Sequence, residues 1–343
     1  MKAVILNKFE GPDSVQIQDM PEPQITDDEI LLDVKAATLN HLDIWVTMGR
    51  HGPDVATPHI AGADAAGIVA AVGPRVKNIA VGDQVLINPG LSCGNCRFCN
   101  SGNHSVCNDF GIMGFSRSGT FAEKVAVPAR NIYPKPPHLD FAAAAALPLD
   151  HVTAWRMLIT RAQIRPGDTL LIHGIGGGAA LAALQIARTL GARVIATSSS
   201  DQKLQKAKKM GAAHLINYQT SPDVAQDVLD CTNGASVDVA FDSVGAATWP
   251  INEKILRRGG TVVLCGVTAG PTTTVSLQRI YWNQLTILGS TMGSHEDFRA
   301  MLAAVNTNKI IPIIDSTFPI EQAPAAYQKM QKAQQFGKII LEI

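Results

Sequence analysis

Four of the six cysteines in this chain fall within fifteen residues, at Cys93, Cys96, Cys99 and Cys107, with the spacing C-x2-C-x2-C-x7-C. Two-residue spacings let successive thiolates turn back onto one ion. Four thiolates close a tetrahedral zinc site and leave no position for water or substrate. Such an ion is structural: it ties down a loop with little apolar content of its own, and its binding energy acts as folding energy. Iron–sulfur clusters use similar ligands, but a ferredoxin-type run ends in a cysteine followed by proline, and here Asn108 follows Cys107. Chance clustering or a disulfide pair is the plain alternative, and ligand spacing in a reducing compartment argues for metal. The expectation is one structural zinc per chain. Cys231 and Cys265 lie in apolar surroundings and read as ordinary buried thiols.

A chain of 343 residues is too long for one core and suits two domains of roughly 100–200 residues each. Hydrophobic residues make up 46 % and charged residues 17 %, enough apolar material to exclude disorder as the main description. Lys+Arg and Asp+Glu stand at 29 each, so the basic excess of a nucleic-acid or anionic-membrane binder is missing. No run approaches the roughly 18 apolar residues of a membrane span. The apolar start Met1–Leu6 is broken at once by Asn7 and Lys8, too short for a signal peptide. A cytoplasmic protein with reduced thiols and no membrane or nucleic-acid partner is expected.

From about residue 165 the pattern alternates between strand and helix. Strands are predicted at 168–173, 193–197, 214–217, 237–241, 261–265 and 285–289, with helices at 181–190 and 201–210. This alternation builds a doubly wound parallel sheet. The first strand runs into a glycine-rich turn, Gly174 to Gly178, that opens a helix. Glycines there let the backbone approach a pyrophosphate, and the helix N-terminus supplies free N–H groups and partial positive charge. Gly174, Gly176 and Ala179 give G-x-G-x-x-A, and a shift by one makes Gly177 central. Both registers keep the same loop, so Gly176, Gly177, Gly178 and Ala179 are the candidate phosphate contacts.

The end of the second strand reports on the dinucleotide. An NAD enzyme usually places Asp or Glu there for the ribose 2′-hydroxyl. This chain has Ser198, Ser199 and Ser200, with Lys203 a few residues on. Hydroxyls plus a cation suit a 2′-phosphate, so NADP(H) is favoured with Ser198 and Lys203 as contacts. The plain alternative is a helix cap with Lys203 on a solvated face, and Asp201 keeps NAD(H) in contention.

A four-cysteine loop near residue 100 followed by a glycine-rich nucleotide fold near residue 175 resembles the medium-chain dehydrogenase/reductase superfamily. The resemblance covers the whole chain and includes Gly67–Gly73, Val81–Val85, Gly119–Glu123 and the closing Phe336–Leu341. It implies an α/β protein: a GroES-like β-rich domain over 1–150 and 292–343, with the zinc loop at 91–110, and a Rossmann doubly wound domain over 151–291. It implies nicotinamide in the cleft between the two, with further cofactor contacts from His41, Thr153, Val244, Gly266 and Lys338. It also implies a homodimer or homotetramer paired through the strand region near 284–291.

The departures carry as much information. Zinc alcohol dehydrogenases of this superfamily hold a second, catalytic zinc. Where its cysteine ligand belongs this chain has Asn40, and where Gly-His-Glu belongs it has Gly62, Ala63 and Asp64. The third ligand region, Pro148 to Trp155, contains no cysteine. A catalytic zinc site needs three protein ligands and an open position, and the usual set is gone. Asn40 and the Thr153–Ala154 pair resemble the zinc-independent quinone oxidoreductase branch, which does not usually keep the four-cysteine loop.

Without that zinc, hydride transfer from NADPH to an already activated acceptor, a quinone or an α,β-unsaturated carbonyl, needs the least help. Asn40 is expected to donate to the developing oxyanion, with Asp64 and His151 as further catalytic candidates. His41, Asp43 and Asp150 are also in reach of a chemical role, and Asp150 and His151 equally suit a helix cap. Trp45, Met48, Phe115 and Trp282 suggest an apolar acceptor. His51, His59, His104 and His138 read as surface or turn residues. Two other functions stay open: an alcohol or aldehyde dehydrogenase with non-standard metal ligands, such as Asp64, His41 and Asp150 or His151, and an NADP(H)-binding protein of low turnover.

Overall fold

The structure is a computed structural model that describes residues 1–343 apart from His51, Pro53 and Asp54. His51, read as a surface residue, therefore lies outside the described residues. The chain divides into two compact units, Met1–Asp150 with Ser294–Ile343, and His151–Gly293.

The first unit is built on a seven-stranded sheet. Its centre is the long strand Glu29–Leu39, which pairs antiparallel with Asp64–Val72, with Lys124–Pro128 and with the C-terminal strand Lys338–Glu342. The C-terminal strand also runs parallel to Ile314–Pro319. A smaller sheet joins Val15–Asp19, Lys2–Leu6 and His59–Ile60. Alternating apolar residues of these strands, including Leu32, Val34, Val69 and Ile339, pack with Phe121 and Tyr327 in one continuous core. This is the GroES-like part, with the C-terminal segment completing the sheet.

Two close approaches fix the register near the site. Gly67 faces the backbone of Asp33, where a Cβ would meet the carbonyl oxygen at 2.1 Å. Gly337 has φ +115°, and a Cβ there would strike Ile313 O at 2.3 Å. Glycine alone fits both constraints. With that register, Thr38 lies opposite Asp64 and Ile339 opposite Leu39. Asn40, Asp64 and Lys338 therefore leave the same end of three adjacent strands.

The second unit is a six-stranded, all-parallel sheet. Its strands are Thr169–Ile172, Arg193–Ser198, His214–Asn217, Val237–Asp242, Leu256–Leu264 and Thr286–Gly289. In space they run third, second, first, fourth, fifth, sixth, the dinucleotide-binding order. The strand expected at 261–265 starts earlier, at Leu256, directly after the helix Trp249–Ile255. The helix expected from 181 begins at Gly178. Glycine and alanine carry no apolar period, so the pattern hid its first turn.

The alanine run forms a short helix, Phe141–Ala145, whose N-cap Asp140 accepts from Ala143 N at 2.7 Å. A separate helix, Pro148–Trp155, follows. Asp150 and His151 lie inside it and do not cap it. Proline suits the first helical position, where its missing N–H costs nothing, and Pro148 takes that place. Among the described residues no helix is long and apolar enough to cross a membrane.

Candidate functional site

The four loop cysteines meet. Their sulfur atoms lie 3.8 Å (Cys93–Cys99), 3.6 Å (Cys96–Cys99), 3.8 Å (Cys96–Cys107) and 3.5 Å (Cys93–Cys107) apart. A tetrahedron with Zn–S bonds of about 2.3 Å has sulfur separations of about 3.8 Å, so the donor set fits zinc. Backbone N–H groups point at the sulfurs, Cys96 N to Cys93 Sγ and Cys93 N to Cys107 Sγ, each at 3.4 Å. The N–H of Cys99 leads the interactions that hold the Cys96 thiol down at about 6. Among the described residues this is the one group of three or more His, Cys, Asp and Glu side chains arranged to hold a metal. Cys231 and Cys265 are half-buried, more open than their apolar surroundings in sequence suggested.

The second constellation lies at the strand ends where Asn40, Asp64 and Lys338 emerge. Lys338 Nζ donates to Asn40 Oδ1 at 2.6 Å, to Asp150 Oδ2 at 2.9 Å and to Asp64 Oδ2 at 3.4 Å. Asn40 Nδ2 donates to Asp64 Oδ2 at 2.9 Å. Asp64 Oδ2 also accepts from Thr38 Oγ1 at 3.3 Å, and its Oδ1 accepts from Leu149 N at 2.9 Å. Leu149 is in the helix that carries Asp150, so this bond ties that helix to Asp64. Behind them Asp43 Oδ2 accepts from Asn40 N at 2.7 Å.

The electrostatics follow from burial. The side chains of Lys338 and Asp64 are 4 % and 0 % exposed, and that of Asp150 is 12 % exposed. Burial opposes the charge on Lys338, but Asp150 and Asp64 outweigh it and hold the ammonium above its ordinary value. Burial raises the Asp64 carboxyl, although Lys338 and Asn40 pull it back. Burial, with Asp64 as a like charge, pushes Asp43 up to about 7.

Two expectations change here, those for Asn40 and Lys338, and the one for Ala63 stands. Asn40, expected to donate to an oxyanion, spends its Nδ2 on Asp64. Lys338, expected at the cofactor, turns its ammonium into this cluster. Ala63 is fully buried and has no donor atom, and the oxygens around it already hold an ammonium, so these residues do not fit a catalytic zinc. His151 is buried, with Nε2 3.2 Å from Gln185 Oε1. His41 opens the helix His41–Thr47 and stands edge-on to Trp45 at 5.2 Å.

In the second unit the glycine loop leaves the carboxyl end of Thr169–Ile172. Gly174 has φ +68°. Gly177 caps the helix Gly178–Thr189, and a Cβ on Gly177 would meet nothing within 4 Å. The first intrahelical bond runs from Leu181 N to Gly177 O at 3.0 Å. The N–H groups of Gly178, Ala179 and Ala180 thus precede the helical ladder, as an anion site requires. The loop fits a dinucleotide pyrophosphate. The Lys203 side chain lies over Gly176, its Nζ 3.2 Å from where a Cβ would stand. Val244 packs beside Gly174, and Gly266 follows the strand ending at Leu264, 2.9 Å from Ser243 O by the same measure. Ser198 Oγ accepts from Ser200 N at 3.2 Å, and Ser200 Oγ caps the next helix through Lys203 N at 3.4 Å. Asp201 accepts from Asn217 Nδ2 at 2.7 Å. Thr153 Oγ1 faces the Met292 sulfur at 3.9 Å.

Several residues with a structural role carried no sequence signal. His59, expected at the surface, is buried with Nε2 2.8 Å from Gly114 O. His295 lies edge-on to His104 at 4.6 Å, and its Nδ1 is 2.9 Å from the Tyr133 hydroxyl and 3.4 Å from Asn88 Nδ2. This brace seats the zinc loop on the helix His295–Asn308. His104 and His138 are half-buried, the latter 3.2 Å from Ile310 O. Lone histidines have no period or spacing, so only packing distinguishes them. Of the suggested acceptor contacts, Trp45 and Phe115 are half-buried, whereas Met48 and Trp282 are exposed at 48 % and 64 %.

Comparison with known proteins agrees with this architecture. Residues 26–137 match the alcohol dehydrogenase GroES-like domain, and residues 178–307 match the zinc-binding dehydrogenase domain. A zinc-type alcohol dehydrogenase-like protein of Schizosaccharomyces pombe is 33 % identical over 100 % of this chain and 99 % of its own length. A crotonyl-CoA carboxylase/reductase of Cereibacter sphaeroides is 30 % identical over 95 % of this chain and 82 % of its own. The crystal structure of an NAD-dependent alcohol dehydrogenase superposes with a TM-score of 0.96 at 40 % identity, covering 100 % of both chains.

Proposed function

The chain belongs to the medium-chain dehydrogenase/reductase superfamily, and from that premise we propose that it is an NADPH-dependent reductase of activated carbonyls, quinones or α,β-unsaturated carbonyls, that works without a catalytic zinc. One observation carries the reading: the oxygens of Asn40, Asp64 and Asp150 close on the ammonium of Lys338. The bound dinucleotide supplies the hydride. What the protein must add is orientation and a proton.

Burial raises the Asp64 carboxyl above its ordinary value, the direction in which a carboxyl becomes a better general acid. Lys338 links it to Asp150, the cluster member with the most exposed side chain of the three charged groups. In this reading Asp64 gives its proton to the acceptor, Lys338 and Asp150 resupply it from the more exposed side, and Asn40 is a positioning residue that holds Asp64 and Lys338 together. Hydride and proton would then add across the acceptor's double bond. His151 is the alternative donor. The crotonyl-CoA relative, whose name specifies an enoyl thioester, supports an unsaturated acceptor.

Ser198 and Lys203 support a 2′-phosphate at the end of the second strand, with the glycine loop and Val244, Gly266, Thr153 and His41 completing the dinucleotide contacts. The NAD-dependent alcohol dehydrogenase structure favours a second reading, NAD-linked oxidation of alcohols. Steady-state assays on chelator-treated protein separate them: NADPH oxidation by quinones and enones supports the first, and NAD reduction by alcohols supports the second.

The one zinc expected per chain belongs to the cysteine loop. A homodimer or homotetramer fits the edge strand Thr286–Gly289, which exposes Ile287 beside the exposed Tyr281 and Trp282. Sedimentation of the W282E/I287K variant at half the native mass tests that pairing.

A further inference from the structure

Three oxygens from separate parts of the chain converge on one buried nitrogen. An ammonium has three donors, and Asn40 Oδ1, Asp150 Oδ2 and Asp64 Oδ2 accept from all of them. Asp64 and Lys338 come from strands on either side of Glu29–Leu39, and the helix that carries Asp150 is tied to Asp64 through Leu149 N. Two carboxylates held together out of water need a cation at their focus. Strand register and the helix after the alanine run bring the three residues to one focus, and the ammonium holds their oxygens there.

We infer that Lys338 is a built-in cation standing where a metal would otherwise sit, and that it holds shut a latent divalent-cation site made of Asn40 Oδ1, Asp64 and Asp150. The inference rests on the zinc-free reading of this cluster but not on the acceptor proposed above. A set of carboxylate and amide oxygens suits a hard cation such as Mn²⁺. The native chain leaves it no room, because the ammonium fills the focus and cancels one of the charges that would attract it. K338M takes away both obstacles with a side chain of similar length.

The test is Mn²⁺ binding to the zinc-loaded protein, read by loss of the free-ion electron paramagnetic resonance signal and free of any turnover assay. K338M is expected to take up about one Mn²⁺ per chain, and wild type and K338R less than about a tenth of that. Adding D150N to K338M should abolish uptake. A folded K338M that binds no Mn²⁺ overturns the inference, as does wild-type protein that binds it at this cluster. If K338M does not fold, lysine-¹⁵N nuclear magnetic resonance of the wild type decides. A slowly exchanging ammonium signal that K338R lacks supports the inference, and its absence overturns it. Failure of the reductase reading alone would show as Mn²⁺ uptake by K338M in a protein that reduces no quinone or enone.

Discussion

The ammonium of Lys338 donates to the carboxylate of Asp150 at 2.9 Å across 188 positions of sequence. That bond joins the last strand of the chain to the helix after the alanine run. It completes a network in which Asn40 Oδ1, Asp64 Oδ2 and Asp150 Oδ2 all accept from that ammonium. In the proposed reading the cluster keeps a charge and supplies a proton.

Neutral replacement of Asp64 should slow chemistry more than binding. For D64N we expect kcat for enone or quinone reduction to fall about 100-fold or more, with KM for NADPH changed less than about threefold. Asn at this position keeps an oxygen for Leu149 N, so the fold is retained. A mutant with unchanged kcat would remove Asp64 from the reaction.

Cofactor choice should turn on Ser198. S198D places a carboxylate where a 2′-phosphate would lie, and like charges repel. Its kcat/KM for NADPH should fall about tenfold or more while that for NADH holds or rises. An equal effect on both dinucleotides would leave the strand end out of the discrimination.

Loss of one thiolate should empty the cysteine loop. In C96S we expect zinc content to fall from about one per chain to near zero, because three thiolates leave the tetrahedron open. Limited proteolysis should then cut within residues 91–110, while far-ultraviolet circular dichroism of the sheets is kept. Full zinc retention would contradict the assigned ligand set.

The brace beneath that loop makes stability depend on pH. Burial, with His104, Arg130 and Arg299 nearby, lowers His295 from 6.5 to about 4. The unfolded chain therefore binds a proton that the native chain refuses. This contribution is complete above about pH 6.5 and is lost as pH falls toward 4. Urea midpoints of wild type minus H295N should narrow steadily over that window. A difference independent of pH would contradict a neutral buried imidazole.

What sequence reading recovers and what it misses divides along contact range. The strand, glycine turn and helix around Gly176 are local: apolar runs, a turn residue and a helix start within fifteen residues, and the alternation gives a parallel sheet but not its strand order. The cysteine loop is local too, since two-residue spacings dictate convergence. The Asn40–Asp64–Asp150–Lys338 network is not. Lys338 looked like a cofactor contact because its neighbours Phe336 and Gly337 match a family pattern. Its direction depends on the pairing of Ile339 with Leu39 and on Gly337 fitting against Ile313. Asp150 and His151 were readable as helix interior from Pro148 at the first turn. His59 and His295 left no trace in sequence, since a lone imidazole acquires a partner only when the chain closes.

Zinc stoichiometry measured together with turnover tests the central claim most directly. Protein treated with chelator under native conditions should retain one zinc per chain by elemental mass spectrometry and should keep oxidising NADPH with a quinone or enone. A second zinc that leaves under the same treatment, taking the activity with it, would contradict a site whose cation is Lys338.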